Sequence, residues 1–507
     1  MWSSTETETG ANKKGTLPEL YLGVVMRSTI LLCLFLCCST SAAQSFDDLL
    51  NSIQNASSSE HQTLVNDFLA ANPTSPIFSP DSQAVFIYSG QASSVGVAGD
   101  FNGWNPSNTP LTALGGSSLW YVQAKFESDA RFDYKIVVNG SQWILDPRNA
   151  SQVVGGFGPN SELSMPDYVH PEEITPRSGI QMGTRTSSTF ESAVMGNSRS
   201  LEMYTPPGYD PLRSAPYPFI LYHDGSDYLR LAAITTTLDN LISDGLIQPI
   251  IAAFLNPVDR EKEYATTQTA PFTEMVVSEL IPWIESNYHI SPNAEERAVT
   301  GPSYGGLITT RQCFEHPEIF GLCGPYSPSY WVYNGALPTL ISNSATKPIK
   351  WYLDWGTYEG SISVTGPSFR QVLEEKGYEH SWNEWHEGHS WGSWRAHQDE
   401  MLQYFFPGPN ATSRSSLDLP FEVKMAVNYP NPFSQTTRFP IDLSEPDLVT
   451  LTVFDSLGRL VSRPIEKVMT AGKHELSFES GILSSGPYLY RVQVGNQVAD
   501  GVFTILR

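Results

Sequence analysis

The segment Arg297-Ala-Val-Thr-Gly-Pro-Ser303-Tyr-Gly-Gly306 is the most informative part of this 507-residue chain. An apolar run precedes the serine, and residues 307–310 continue as the start of a helix. Glycines at positions 301 and 305 permit a crowded turn, because a side chain there would collide with the neighbouring strand or helix. Such a turn exposes the serine hydroxyl at the carboxyl edge of a sheet, where the helix N-terminus favours negative charge. The segment therefore predicts a nucleophilic serine.

Apolar runs alternate with helical stretches on both sides of this turn, between about residues 185 and 407. The strand-like runs are residues 218–222, 250–254, 297–300 and 349–353, and residues 272–288 have a helical pattern. Such alternation is typical of βαβ units and predicts a parallel sheet. Together with the serine turn it predicts an α/β-hydrolase core.

A hydrolase of this class needs its general base late in the chain, because the order along the chain is nucleophile, acid, base. His389 fits this position, since it lies beside Gly388 in a loop that follows an extended run and precedes a helix beginning near Trp391. His386 is the competing histidine, but its place at the end of the strand indicates packing. A metal site built on both histidines would need a third ligand, which we do not find, so we expect no metal and no cofactor.

Two carboxylates could orient the base. Asp354 ends an apolar run, whereas Glu359 lies in the loop beyond it. A loop carboxylate reaches across the top of the sheet more readily, so we favour Glu359 as the acid and keep Asp354 as the alternative. The backbone N–H of Tyr304 is the first expected oxyanion donor. The second should come from the turn after an early strand, at Ser226.

Several segments, in this order, resemble those of one enzyme family. They are Tyr222-His-Asp-Gly225, Asp259-Arg260 with Glu263-Tyr264, Glu279-Leu-Ile-Pro282, residues 301–306 and Gly388-His389-Ser-Trp-x-x-Trp-Arg395. The region 185–407 thereby resembles enterochelin-esterase-like enzymes, relatives of esterase D and of the feruloyl and acetylxylan esterases of carbohydrate esterase family 1. The family's acid follows a Gly-Thr pair, which maps to Glu359 after Gly356-Thr357, although many relatives carry Asp there. The resemblance implies hydrolysis of a carboxylic ester.

An all-β unit precedes this core. Short β-like runs from about residue 84 to residue 165, with a tight turn at Asn139-Gly140, predict a β-sandwich. Residues 97–104, 132–143 and 146–147 resemble the glycogen-binding carbohydrate-binding module that accompanies branching enzymes and kinase β subunits. The resemblance implies four sugar contacts, at Trp104, Lys135, Trp143 and Asn160. The alternative is a structural lid in which Trp104 is part of the core.

A second small β unit closes the chain. Its strand-like runs alternate with period two, as half-buried strands do. Residues 427–433, 454–459 and 486–491 resemble the C-terminal sorting domain of type IX secretion. The resemblance implies delivery to the cell surface or the medium by that machinery. A purely structural Ig-like unit is the alternative.

A short apolar run at residues 30–38 follows Met26-Arg27 and precedes the small residues Ser41 and Ala43. It predicts a signal peptide at residues 26–43 that is too short to span a bilayer, after an over-extended start at residues 1–25. We expect no membrane span in the mature form. Cys313 and Cys323 would then remain, either paired in an oxidising compartment or as buried thiols.

The formal net charge of -23 argues against nucleic acid as a partner and against anionic membrane surfaces. The full expected organisation is an over-extended start (1–25), a signal peptide (26–43), a helical segment (44–75), a carbohydrate-module-like β-sandwich (76–168), an α/β-hydrolase domain (169–407), a linker (408–421) and a C-terminal sorting domain (422–507).

The residues and the resemblances predict a secreted serine ester hydrolase that works through an acyl-enzyme, without a cofactor, on feruloyl or acetyl esters of a polysaccharide. One alternative is a siderophore esterase of the enterochelin type. A second is a surface glycan-binding protein whose hydrolase domain is vestigial, and a third is starch or glycogen processing by the sandwich alone.

Overall fold

The structure is a computed structural model that describes residues 44–79, 83–411, 428, 430–443, 446–455, 460–470, 472–481, 483–494 and 497–506. The expected start and signal peptide, the linker after residue 411 and the predicted turn at residues 456–459 lie outside these residues. Within them, the chain is multidomain: an N-terminal β-sandwich, an α/β-hydrolase core and a C-terminal β unit.

Two helices precede the sandwich, α1 (Phe46–Asn55) and α2 (His61–Ala71). A capping box begins α1, because the Asp48 N–H donates to Ser45 Oγ at 3.1 Å and the Ser45 N–H donates to the Asp48 carboxylate at 3.3 Å. The sequence predicts one helical segment at residues 44–75. The structure divides it, because Ala56 adopts an extended conformation and its N–H bonds back to the Ile53 carbonyl.

The β-sandwich consists of two antiparallel sheets. Their strands are β1 (Ile77–Ser79), β2 (Gln83–Ser89), β3 (Val95–Gly99), β4 (Thr112–Ala113), β5 (Leu119–Lys125), β6 (Arg131–Val138), β7 (Gln142–Ile144), β8 (Gln152–Gly155) and β9 (Gly158–Ser164). One sheet has the order β1-β2-β5-β4 and the other β3-β6-β9-β8, with β7 paired to β6. Asn139 and Gly140 have positive φ values of 53° and 69°, which confirms the tight turn between β6 and β7.

The side chains of β6 point alternately to the two faces of the second sheet. Phe132, Tyr134, Ile136 and Val138 belong to the hydrophobic core of the sandwich. Because successive side chains of a strand point to opposite faces, Arg131, Asp133 and Lys135 lie on the other side, which we call the outer face.

The α/β-hydrolase core is an eight-stranded sheet with the order β10-β11-β13-β12-β14-β15-β16-β17. Its strands are β10 (Thr184–Ser192), β11 (Asn197–Thr205), β12 (Phe219–His223), β13 (Ile251–Leu255), β14 (Arg297–Pro302), β15 (Leu322–Tyr326), β16 (Lys350–Gly356) and β17 (His380–Trp385). Strands β12 to β17 pair in parallel, and β10 and β11 form an antiparallel edge. The predicted parallel sheet is confirmed.

Helices cover both faces of this sheet. They are α3 (Gly225–Leu231), α4 (Ile234–Ser243), α5 (Arg260–Tyr264), α6 (Thr269–Met275), α7 (Ile281–Asn287), α8 (Tyr304–Glu315), α9 (Ala336–Asn343), α10 (Ile362–Glu375), α11 (Trp391–Trp394) and α12 (Gln398–Phe405), with a π-helical turn (Val276–Leu280) that joins α6 to α7. Phe219 and Leu221 of β12 enter one hydrophobic cluster and Ile220 and Tyr222 enter another, as expected for a sheet buried on both sides.

The C-terminal unit consists of β18 (Thr436–Leu443), β19 (Asp447–Phe454), β20 (Leu460–Met469), β21 (Gly472–Glu479), β22 (Gly486–Val494) and β23 (Gln497–Ile505). One sheet pairs β18 with β21, and the other has the order β20-β19-β22-β23. Phe433, Phe439 and Phe503 lie in its buried core. No helix in the described part of the chain has the length and apolar character needed to cross a membrane.

The two cysteines of the core are free thiols, and both are buried. Cys313 lies on α8 and Cys323 on β15. Of the two outcomes left open by the sequence, the structure has the thiol form. Burial raises the pKa of Cys323, so this thiol is held in its neutral form.

Candidate active site

Ser303 occupies the turn between β14, which ends at Pro302, and α8, which begins at Tyr304. Its backbone angles are φ 61° and ψ -118°, a strained conformation for a residue with a side chain. The Ser303 N–H donates to the Tyr326 carbonyl of β15 at 2.9 Å, which holds the turn. A Cβ atom at Gly301 would lie 2.9 Å from the backbone of Gly305, so the turn requires glycine there, as predicted.

His389 is the histidine that reaches this serine. Its Nε2 atom lies 3.0 Å from Ser303 Oγ, within hydrogen-bonding distance. The imidazole packs edge-on against Trp394 with ring centroids 4.9 Å apart, and 37% of the side chain is exposed. The competing His386 instead pairs with Asp129 of the sandwich at 2.6 Å.

Glu359 is the carboxylate beside the other ring nitrogen. Its Oε2 atom lies 3.6 Å from His389 Nδ1, and its side chain is fully buried. The Oε1 atom accepts a hydrogen bond of 2.7 Å from Ser327 Oγ, which accepts one of 2.9 Å from Trp394 Nε1. These two hydrogen bonds fix the carboxylate against the same tryptophan that packs on His389.

Asp354, the alternative acid, is engaged elsewhere. Its Oδ2 atom accepts a 2.6 Å hydrogen bond from Trp385 Nε1. Burial raises the pKa of Asp354 to about 7, so this group is partly protonated at neutral pH. The Trp385 ring stacks on His397 at 3.7 Å, and His397 Nε2 lies 2.9 Å from Glu387. Asp354 therefore belongs to a buried polar cluster with Trp385, His397 and Glu387.

The two expected oxyanion donors, the N–H groups of Tyr304 and Ser226, differ in their hydrogen bonding. Tyr304 is the first residue of α8. Its N–H therefore belongs to the first turn of the helix, where backbone N–H groups have no acceptor within the helix. The Ser226 N–H, by contrast, donates to Asn256 Oδ1 at 2.9 Å. This N–H can donate to an oxyanion only if it is shared between Asn256 Oδ1 and the oxyanion, or if its bond to Asn256 breaks.

Arg260 lies beside the turn that carries Ser303. Its guanidinium donates to both carboxylate oxygens of Asp224 and also to the Pro302 carbonyl at 3.1 Å. Burial raises the pKa of Asp224, which the arginine partner opposes. The sequence marked Arg260 only as part of a family-like segment. Its contact with Pro302 comes from the meeting of α5 with the end of β14, for which the sequence gives no local signal.

Two other residues around the site, Ser327 and Trp394, have contacts that the sequence did not predict. Ser327 supports Glu359 from 32 positions away and has no motif of its own. Trp394 belongs to the family-like Gly388–Arg395 segment, which assigns it no role, and in the structure its indole N–H donates to Ser327 Oγ. Among the described residues, no cluster of three or more His, Cys, Asp or Glu side chains could hold a metal ion.

Family comparisons agree with this architecture. Residues 192–405 match the family model described as "Putative esterase". This part of the chain is an esterase domain. Residues 71–148 match carbohydrate-binding module 48, the isoamylase N-terminal domain, and residues 427–503 match a secretion system C-terminal sorting domain. The sorting domain directs export by type IX secretion to the cell surface or the extracellular space.

Curated relatives of the esterase domain are distant. The uncharacterised protein YbbA of Bacillus subtilis is 25% identical over 202 residues, which is 36% of this chain and 80% of YbbA. The endo-1,4-beta-xylanase/feruloyl esterase of Xylanibacter ruminicola is 26% identical over 159 residues, 29% of this chain and 22% of that protein. The iron(III) enterobactin esterase of Escherichia coli is 26% identical over 195 residues, 38% of this chain and 47% of that protein.

A solved structure shares the fold of much of this chain. The enterobactin esterase FES from Shigella flexneri, crystallised in the presence of enterobactin, superposes with a TM-score of 0.55 and 20% identity. The alignment covers 64% of this chain and 92% of that chain.

The four expected sugar contacts do not form one open cluster. Lys135 lies on β6, and Trp143 of β7 is paired with Val137, so both lie on the outer face. Trp143 is 46% exposed. Asn160 donates to Asp133 at 2.9 Å, and the Trp104 indole N–H donates to Asp100 at 3.0 Å. Lys135 and Trp143 therefore lie on one face of the sandwich, whereas Trp104 and Asn160 bond to the buried carboxylates Asp100 and Asp133.

Proposed function

We propose that this protein is an exported serine ester hydrolase that acts through an acyl-enzyme on feruloyl or acetyl esters of a polysaccharide. The observation that carries the proposal is the 3.0 Å approach of His389 Nε2 to the hydroxyl of Ser303, which sits on a strained turn. Nucleophile and base within hydrogen-bonding reach, with the base facing a third group, are the diagnostic arrangement for nucleophilic catalysis.

In the proposed mechanism, Ser303 Oγ attacks the ester carbonyl carbon while its proton passes to His389 Nε2. The tetrahedral intermediate carries its negative charge on the former carbonyl oxygen, near the Tyr304 N–H and the Ser226 N–H. When it collapses, the alcohol leaves and takes the proton from His389. Water then attacks the acyl-enzyme with His389 as base, which releases the acid and restores Ser303.

Glu359 is the proposed acid. A buried carboxylate beside Nδ1 holds the imidazole in the useful tautomer and stabilises the imidazolium that forms during attack. The 3.6 Å separation is longer than a hydrogen bond, and such contacts commonly tighten when substrate binds. The Ser327 hydroxyl fixes the other carboxylate oxygen, so little movement is needed.

The polysaccharide part of the proposal rests on the sandwich. Its match to carbohydrate-binding module 48 and the exposed Trp143 beside Lys135 support sugar binding, because indole faces stack on sugar rings. The relative from Xylanibacter ruminicola carries the name of a feruloyl esterase joined to a xylanase. Export to the cell surface favours an extracellular polymer.

Hydrolysis of a siderophore ester is the second candidate. The Escherichia coli relative supports it, since that protein is named an iron(III) enterobactin esterase. Its match covers more of this chain than the match to the feruloyl esterase relative. A cyclic trilactone and a feruloyl ester need the same serine chemistry and differ in the pocket that receives the acyl group.

An ester panel tests the proposal. Wild type and Ser303→Ala are compared on p-nitrophenyl acetate, methyl ferulate and a catecholate trilactone. We expect wild-type hydrolysis of the first two and a loss of about 10⁴-fold or more in kcat for Ser303→Ala. Preference for the trilactone would support the second candidate. Equal rates for the two proteins would contradict the serine mechanism.

A further inference from the structure

The loop that carries His389 is held by the sandwich at both ends. We call residues 386–390 the histidine loop, which lies between β17 and α11. At its start, the Arg131 N–H donates to the His386 carbonyl at 3.1 Å, and Arg131 forms a parallel β-bridge with Glu387. At its end, Arg131 Nη1 donates to Ser390 Oγ at 3.2 Å. Arg131 of β6 therefore contacts residues that precede His389 in the chain and the residue that follows it.

The guanidinium is packed as well as hydrogen-bonded. A Cβ atom at Gly392, the second residue of α11, would lie 2.0 Å from Arg131 Nη2. A Cβ atom at Gly388 would lie 2.2 Å from Cβ of Asp100, also in the sandwich. Both approaches are closer than van der Waals contact allows for any larger residue. The histidine loop and the start of α11 therefore lie tightly against the sandwich.

Arg131 is itself fixed by buried carboxylates. Its guanidinium lies 2.6 Å from Asp133 and 2.6 Å from Glu162, and the exposed fractions of the three side chains are 1%, 1% and 8%. Ser390 Oγ also donates to Asp133 at 3.4 Å and caps α11 by accepting the Ser393 N–H. Burial disfavours the charged form of Arg131, but Asp133 and Glu162 outweigh it and raise its pKa. A planar, permanently charged fork held this way has one orientation.

The sandwich also contacts the loop of the acid. Tyr358, which precedes Glu359, packs its ring on Phe132 with centroids 4.6 Å apart, and its hydroxyl donates to Glu127 at 2.7 Å. Phe132 is the neighbour of Arg131 on β6. The same strand of the sandwich thus contacts the loops that carry His389 and Glu359.

We infer that Arg131 is a positioning residue for catalysis, which sets the place of His389 from the carbohydrate-module-like sandwich. The inference rests on the proposed function, since it needs His389 to act as the base. It assigns the sandwich a part in the chemistry that is separate from sugar binding. A displacement of the catalytic base by about 1 Å can lower the rate by about 100-fold. We therefore expect the loss of Arg131 to lower kcat.

The test uses the full chain with p-nitrophenyl acetate, a substrate too small to need the sandwich for binding. Arg131→Gln removes the guanidinium, and Arg131→Lys keeps the charge between Asp133 and Glu162. Arg297→Gln is the matched control, since this arginine is also buried and pairs with Glu285 at the opposite end of β14. Circular dichroism and thermal melting establish which variants are folded.

We expect Arg131→Gln to lower kcat by about 30-fold or more with KM within about twofold, and Arg131→Lys to recover part of the loss. Arg297→Gln should keep the wild-type kcat. Arg131→Gln leaves two carboxylates buried without their partner and can unfold the sandwich. Ser390→Ala is therefore measured in parallel, and we expect a loss of about fivefold in kcat with KM unchanged.

Wild-type kcat in folded Arg131→Gln, or in Ser390→Ala, would overturn the inference and leave the proposed function intact. An equal loss of kcat in Arg297→Gln would overturn it as well, because the effect would then follow from general destabilisation. A wild type that neither hydrolyses the ester nor reacts with a fluorophosphonate would overturn the proposed function and the inference together.

Discussion

His389 Nδ1 and Glu359 Oε2 lie 3.6 Å apart, close enough for an ion pair and too far for a hydrogen bond. Glu359 Oε2 has no hydrogen-bond partner among the described residues, although the atom is buried. An unpartnered buried carboxylate oxygen is costly, and the nearest group that can satisfy it is the imidazole. The Glu359 Oε2 atom therefore faces the imidazole with its acceptor capacity unused by the described residues.

The choice between the two carboxylates can be tested by neutralising each one. Glu359→Gln should lower kcat by about 100-fold or more, because the imidazolium loses its counter-charge. Asp354→Asn should keep kcat within about threefold, since this group is already partly neutral and bonds to Trp385. Steady-state kinetics on p-nitrophenyl acetate decides. The reverse pattern would make Asp354 the acid.

Asp354 should also leave a signature in stability against pH. Its folded pKa of about 7 is raised above 3.8, so between these values the unfolded chain binds fewer protons than the folded one. Stability therefore falls as pH rises from about 4 to 7. Asp354→Asn removes this loss and should be more stable than wild type by on the order of 4 kcal/mol at pH 8, with little difference near pH 4. Denaturant unfolding at both pH values measures it, and a difference that does not change with pH contradicts the burial argument.

The pair of His386 and Asp129 predicts a stabilising contribution that is confined to a window of pH. Their hydrogen bond raises the pKa of His386 above 6.5 and lowers the pKa of Asp129 below 3.8. The histidine adds stability below pH 6.5 and loses it as pH rises through its raised pKa. The aspartate adds stability above pH 3.8 and loses it as pH falls through its lowered pKa. The contribution is therefore complete between about pH 4 and 6.5.

Asp129→Asn should accordingly lower the melting temperature at pH 5.5 and leave it unchanged at pH 9. The effect is small, below about 1 kcal/mol, because both side chains are substantially exposed. Melting curves of the wild type and the variant at the two pH values check this. An equal difference at both would mean that the pair adds no charge-dependent stability.

Sugar binding by the sandwich is a separate prediction. Trp143→Ala should weaken retention on a polysaccharide affinity gel by about tenfold, equivalent to about 1.4 kcal/mol, because the exposed indole is the stacking surface. Phe78→Ala is the control, since Phe78 is a similarly exposed aromatic residue on the other sheet of the sandwich. Retention that is unaffected by Trp143→Ala, or equally affected by both, argues for a purely structural sandwich.

The sequence predicted those features that depend on neighbours along the chain. The turn at Ser303 and the hairpin at Asn139-Gly140 need particular residues at particular positions, and their predicted geometry is present. The parallel sheet followed from alternation of apolar runs. The proximity of Ser303, His389 and Glu359 was inferred from their order relative to strands that end at one edge of a sheet.

Contacts between distant segments could not be predicted in the same way. Arg131 reaches Ser390 across 259 positions, and nothing in the β-like pattern around Arg131 distinguishes it from other outward-facing residues of the sandwich. The engagement of the Ser226 N–H by Asn256 depends on how two loops meet. The break after α1 depends on the conformation of Ala56, for which helical periodicity gives no sign.

The most direct test of the serine mechanism is covalent labelling of the full chain by a fluorophosphonate, with the modified residue identified by mass spectrometry. The serine mechanism predicts stoichiometric labelling of wild type at Ser303, and no labelling of Ser303→Ala. It also predicts labelling of His389→Ala slowed by about 100-fold or more, since the base that accepts the serine proton is gone. Labelling at another residue, or undiminished labelling of Ser303→Ala, would contradict it.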